Sequence, residues 1–88
     1  MKDRRASRPH RVRLAAGRRL QRGHILTGAG GSVQLNESAA AILSLCDGRL
    51  TRDQIIARML RRLGDDSFAA DLREFLDAAR RRRWIVER

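Results

Sequence analysis

The sequence predicts an α+β fold: a small winged-helix-like domain in which a three-stranded antiparallel sheet is followed by three helices. Three observations lead there. Apolar and polar residues alternate with period two around Val12 and Leu14, and glycines punctuate the following stretch where turns are needed. From Asn36 onward the apolar residues switch to three- and four-residue spacing, in runs that carry helix start and stop signals. The length of 88 residues, with 42% hydrophobic and 3% aromatic side chains, allows one modest core of aliphatic groups, since a chain this short buries only about 60–65% of its unfolded surface.

Residues 1–10, "MKDRRASRPH", are polar and basic and are expected to form a flexible arm, leaving 11–88 as one domain. In the strand region Val12 and Leu14 alternate with Arg11 and Arg13, the sign of a strand with one buried face. His24–Thr27 and Ser32–Leu35 read as two more strands, joined by the glycine turn Gly28–Gly31. Strands this short need a helix to cover their apolar face.

Asn36 is suited to cap the first helix, with Glu37 in its first turn, and Ala39, Ile42, Leu43 and Cys46 form the inward stripe. Asp47-Gly48 is expected to end it, with Gly48 in the left-handed position. Thr51 and Gln54 make a capping box for the second helix, and Leu50 with Ile55 sits where a hydrophobic staple would. Ile55, Ile56, Met59, Leu60 and Leu63 form its apolar side, and Gly64 stops it. The third helix starts near Asp66 or Ser67, with Phe68, Leu72, Phe75, Leu76 and Ala79 along one face. In "RRRRWIVER", Trp84, Ile85 and Val86 either continue that helix or fold back against it.

The net charge of +10 is uneven. Residues 1–35 carry +8, residues 36–79 carry −2 and residues 80–88 carry +4, and nineteen of the twenty cations are arginine. Arginine matches carboxylate and phosphate bidentately, which suits an anionic partner; a GC-rich codon table gives the same preference. A single cysteine permits no intrachain disulfide and fits a cytoplasmic setting. No apolar run approaches the roughly 20 residues that span a bilayer, and the N-terminus lacks the apolar core of a secretory signal. No membrane partner is expected.

The inventory for catalysis is nearly empty. The chain has no tyrosine, and His10 and His24 stand fourteen residues apart. Cys46 falls on an apolar stripe, where a buried structural thiol is expected. The pair Asp65-Asp66 serves a helix start, and Gly28–Gly31 lacks the Lys-Ser/Thr of a phosphate-binding loop. No catalytic residue, metal site or cofactor is expected, and the chain is not expected to be an enzyme.

Two binding readings remain. In the first, helices two and three form a winged-helix DNA-binding unit, favoured by the net charge and opposed by Asp71, Glu74 and Asp77 on the last helix, which phosphates would repel. In the second, Ser32, Val33, Gln34 and Leu35 form an exposed sheet edge to which an extended peptide adds as a further strand. The third helix then supplies an apolar wall through Leu72, Phe75, Leu76 and Ala79, with Arg73 and Arg80 to meet acidic side chains. The same edge permits a homodimer.

The runs "VQLNESAAAILSLCDGRLT", "IIARMLRR" and "DLREFLDAARRRRWI" resemble the pyrroloquinoline quinone (PQQ) biosynthesis protein D family over about Val33 to Val86. The chain departs from the family before the edge strand, where an aromatic residue and a Pro-Glu-Gly turn are common and "HILTGAGGSVQL" stands instead. The resemblance implies a precursor-peptide recognition element acting in PQQ synthesis, a peptide chaperone without a nucleic-acid partner; quinone binding goes with that assignment. It implies that the partners are a ribosomal precursor peptide, docked beside Ser32–Leu35 against the face around Leu72, Arg73, Leu76 and Arg80, and a radical S-adenosylmethionine enzyme that receives it. A recognition element of another modified-peptide pathway is the near alternative.

Overall fold

The structure, a computed structural model, describes residues 10–88, so that the arm expected over residues 1–10 lies, except for His10, outside the described residues. Its elements run β1 (Arg11–Leu14), β2 (Arg19–Gln21), β3 (Ile25–Gly28), β4 (Gly31–Gln34), α1 (Glu37–Ser44), β5 (Asp47–Thr51), α2 (Arg52–Leu63), a short 3-10 helix (Asp66–Phe68), α3 (Ala69–Arg81) and β6 (Ile85–Glu87). The chain is α+β, with three α-helices and two small antiparallel sheets among the described residues. One sheet has the order β5-β1-β6 and the other β2-β3-β4. The strands expected near Val12, His24–Thr27 and Ser32–Leu35 exist, but the first does not pair with the other two. Instead β1 is the centre of its own sheet, between a strand that follows α1 and one that follows α3.

The helix starts follow the side-chain chemistry. Asn36 caps α1 by accepting from the Ala39 amide at 2.8 Å. At α2 the Gln54 amide donates to Thr51 Oγ1 at 3.2 Å, and the Thr51 amide donates to Gln54 Oε1 at 2.9 Å. These exchanges satisfy amides that a helix leaves orphaned in its first turn. Gly64 closes α2 in the left-handed conformation, φ 73°.

Two endings differ from expectation. α1 stops at Ser44, and Gly48, at φ 90°, sits within β5 where its pairing with β1 shifts register. Gly48 is therefore a strand irregularity and not a helix cap. α3 ends in a Schellman turn: the Trp84 amide donates to the Ala79 carbonyl at 2.9 Å and the Arg83 amide to the Arg80 carbonyl at 3.0 Å. The left-handed residue of that turn is Arg83, φ 62°, where glycine is usual. The turn reverses the chain into β6, so the Trp84–Val86 segment folds back and pairs with β1.

The core lies between the sheets and helices. Val12, Leu26, Leu43, Ile55, Met59, Leu76 and Ile85 are its largest fully buried side chains. β6 is fastened by charge as well. Arg52 at the start of α2 reaches Glu87 through two nitrogens, at 2.7 and 3.2 Å, and Asp77 of α3 at 2.7 Å. The bidentate pairing matches guanidinium to carboxylate geometry and raises the pKa of Arg52, chiefly through the Glu87 hydrogen bonds.

Candidate functional site

β4 is the outer strand of its sheet, hydrogen-bonded to β3 on one side only. The Leu35 amide donates to the His24 carbonyl at 2.8 Å, extending the ladder by one pair beyond β4. That bond fixes the parity of the strand. In an antiparallel pair, hydrogen-bonded and non-hydrogen-bonded residues alternate. Since Leu35 faces its partner with its main chain, so do Val33, opposite Leu26, and Gly31, opposite Gly28. The main-chain groups of Ser32 and Gln34 therefore point away from the sheet, offering two N–H donors and two carbonyl acceptors along the open edge. All four residues of β4 are exposed.

Side chains alternate independently of the hydrogen bonds. Val33 shares its face with Leu26, directly opposite on β3, and with Leu35, both of them buried. Val33 itself is 37% exposed. The apolar row across the sheet thus runs from the core out to the edge and ends uncovered.

Beyond Leu35 the chain passes into a groove of about 310 Å³ between the first turn of α1, the end of α2 and the start of α3. Ala39, Ile42, Met59, Leu72 and Phe75 make its apolar lining, Leu63 and Phe68 its lip, and Asn36, Ser38 and Asp71 its polar contacts. Leu63 and Phe68 are each 41% exposed. With Val33 they are the exposed large hydrophobic side chains among the described residues; Val33 stands on β4, and the other two on the groove that begins at Asn36, two residues after that strand. Uncovered apolar side chains scattered singly carry little meaning, whereas Leu63 and Phe68 are uncovered together at the mouth of one apolar groove.

The sequence-predicted site residues divide. Ser32, Val33 and Gln34 stand on the open edge, and Leu35 is buried just inside it. Of the four on α3, only Leu72 lines the groove. Leu76 is core, 1% exposed, and does not present a surface. Arg73 and Arg80 lie on the other flank of the helix: the Arg73 carbonyl accepts from Arg52 Nη1 at 3.4 Å, and Arg80 stands 3.7 Å from Glu87. At about 100° per residue, Phe68, Leu72 and Phe75 share a side that Arg73 and Arg80 do not. Phe75 lines the groove beside Leu72, and Phe68 and Leu63, which the sequence places on the apolar faces of their helices, are each partly uncovered at it. The groove's charged lining residue is Asp71.

Cys46 is buried, and its thiol donates to the Ile42 carbonyl at 3.3 Å. Burial first, then the nearby Asp47 and Glu87 carboxylates, pushes its pKa up to about 12, so that it is not a thiolate at neutral pH. Among the described residues, no three or more His, Cys, Asp and Glu side chains gather as a metal site would require, and no helix is long and apolar enough to cross a membrane.

Comparison with known proteins adds a family. The chain is similar to a protein of Azotobacter vinelandii named PqqA binding protein, 43% identical over 63 residues that cover 70% of this chain and 68% of the relative. A protein of the same name from Methylococcus capsulatus is 40% identical over 57 residues, 65% of this chain, and the chain spans only 61% of that relative's length. A third, from Pseudomonas fluorescens, is 38% identical over 67 residues, 75% of this chain and 74% of the relative. No solved structure matches the chain. The family model described as coenzyme PQQ synthesis protein D matches residues 13–85, from β1 to the first residue of β6, and the chain belongs to that family.

Proposed function

We propose that this chain is a cytoplasmic peptide-binding accessory protein of PQQ synthesis, not itself a catalyst, which takes up a ribosomal precursor peptide by strand addition at β4 and presents it to a radical S-adenosylmethionine enzyme. One observation carries the reading: the main-chain groups of Ser32 and Gln34 face outward along the open edge of β4, and the chain runs on from Gln34 through Leu35 to Asn36, which lines a groove with the exposed Leu63 and Phe68. A peptide in β conformation satisfies the open edge and turns alternate side chains toward Val33 and the groove. The names of the relatives, PqqA binding protein, support the choice of guest. Asp71 at the groove accommodates a basic or hydrogen-bonding side chain of the peptide, and the arginines Arg73 and Arg80, turned to the other flank, are left out of the contact.

The magnitudes are adequate. Each added main-chain bond contributes about 0.5–1.5 kcal/mol net, and two or three apolar anchors contribute about 1.5–3 kcal/mol each. After association costs, a dissociation constant near micromolar, about −8 kcal/mol, is reached. Titration calorimetry with the precursor peptide, joined to amide exchange by NMR, tests this. The expected result is micromolar affinity, weakly dependent on salt, with new protection at the Ser32 and Gln34 amides. Protection confined to α2 and α3, or affinity that collapses with salt, rejects strand addition.

A further inference from the structure

A second surface, on the other sheet, carries a different signal. In β5-β1-β6 the Arg11 amide donates to the Arg88 carbonyl at 2.6 Å and the Arg88 amide to the Arg11 carbonyl at 2.9 Å, so these residues are direct cross-strand partners. Val12, between Arg11 and Arg13, is fully buried, which turns both arginines to the outer face. Two residues along the ladder Arg13 stands opposite Val86. Three arginines thus share one small face, and none of them joins an ion pair among the described residues. Asp47 is the cross-strand neighbour of Arg13 on β5, yet its carboxylate is engaged by Arg49 at 3.6 Å. Like charges set opposite each other in a sheet are destabilising. Val86 and Ala16 lie between Arg13 and Arg88 in a hollow of about 280 Å³.

We propose that this face docks a partner protein through an acidic surface patch, leaving β4 free for the peptide. Carboxylates of the partner would take the arginine forks bidentately, and the Val86–Ala16 strip would be covered by the apolar part of the contact, as interfaces between proteins require and phosphate backbones do not. Asp47, half exposed beside Arg13, also interrupts the continuous basic track that a nucleic acid would follow. The inference rests on the presentation reading in one respect: the partner to test first is the radical S-adenosylmethionine enzyme.

The experiment titrates that purified enzyme with the chain already loaded with precursor peptide, using the wild-type chain and the double variant Arg11→Glu, Arg13→Glu. The variant is expected to bind the enzyme at least tenfold more weakly, with reduced salt dependence, while its affinity for the peptide is unchanged. Its thermal stability is expected to stay close to wild type, because Arg11→Glu sets an opposite charge facing Arg88 while Arg13→Glu sets a like charge facing Asp47; a merely structural role for these arginines would lower it well beyond that balance. Equal enzyme affinity in the two chains, or no enzyme binding by a wild-type chain that holds its peptide, overturns the docking face. Loss of peptide affinity in the wild-type chain itself would instead sink the presentation reading. A 20-base-pair DNA duplex serves as the competing probe, and tighter binding of the duplex than of the enzyme, lost in the variant, would overturn the assignment to a protein.

Discussion

Proline substitutions at neighbouring positions of β4 separate docking from folding. Proline removes one main-chain N–H and places its ring where that hydrogen stood. At Gln34 the lost N–H points to the open edge, so the β3–β4 ladder keeps every bond. At Val33 the lost N–H is the one that faces Leu26. Gln34→Pro should therefore cost the guest strand one bond, about 0.5–1.5 kcal/mol, and more because the ring obstructs its approach. A tenfold to hundredfold loss of peptide affinity is expected, about 1.4 kcal/mol per factor of ten, with a melting temperature close to wild type. Val33→Pro leaves a ladder carbonyl without its donor, a cost of about 1–3 kcal/mol. For a domain of this size that lowers the melting temperature by roughly 5–20 °C. Calorimetric titration and thermal circular dichroism on both variants provide the two readings. If Gln34→Pro binds the peptide as wild type does, or if it unfolds the domain as readily as Val33→Pro, the parity assigned from the Leu35–His24 bond is wrong and the docking edge with it.

Other substitutions probe the remaining features. Leu76→Ala should destabilise the domain by about 2–5 kcal/mol, whereas Phe75→Ala should weaken peptide binding with a smaller effect on stability; the same two assays distinguish them. Cys46 should be unreactive toward a thiol reagent at pH 8 in the folded chain. Its pKa is raised from an ordinary value of 9.0 to about 12, so the unfolded chain gives up the proton first and stability falls as pH rises from about 9 toward 12; Cys46→Ala should flatten that slope in melts recorded across this range. Arg83→Gly relieves the left-handed strain at the end of α3 and should raise stability by about 1 kcal/mol, or roughly 4–8 °C in melting temperature.

What could be read from the sequence was what short-range chemistry dictates. The Asn36 cap, the Thr51–Gln54 box and the Gly64 stop each need only residues within a turn of one another, and each is present. The Ser32–Leu35 edge was legible for the same reason, bracketed by a glycine turn and a helix cap. β2 escaped notice because three residues with one apolar side chain, Leu20, make no pattern. β5 was hidden because Asp47-Gly48 has the form of a helix ending, and only pairing with β1, remote in sequence, draws it into a strand. At β6 the missing sign was a glycine, since Arg83 makes the left-handed turn without one. For the site, the resemblance implies a face around Leu72, Arg73, Leu76 and Arg80, and of these four Leu72 alone lines the groove. Helical angle alone separates Arg73 and Arg80 from Phe68, Leu72 and Phe75, and that signal was available. The burial of Leu76 was not, because it depends on which elements α3 packs against.

The pairing of β1 with β6 has a consequence for how the chain is made. Leu14 and Ile85 are neighbours in space and about seventy residues apart along the backbone, and closing so long a loop is entropically costly until other contacts hold its ends. The β2-β3-β4 meander closes over short hairpin turns within a single stretch of sixteen residues, Arg19 to Gln34. During synthesis from the N-terminus the meander can therefore be complete while β1 still waits, half-paired, for the last strand to clear the ribosome. The receptive edge is assembled early, and its anchoring neighbour is sealed last.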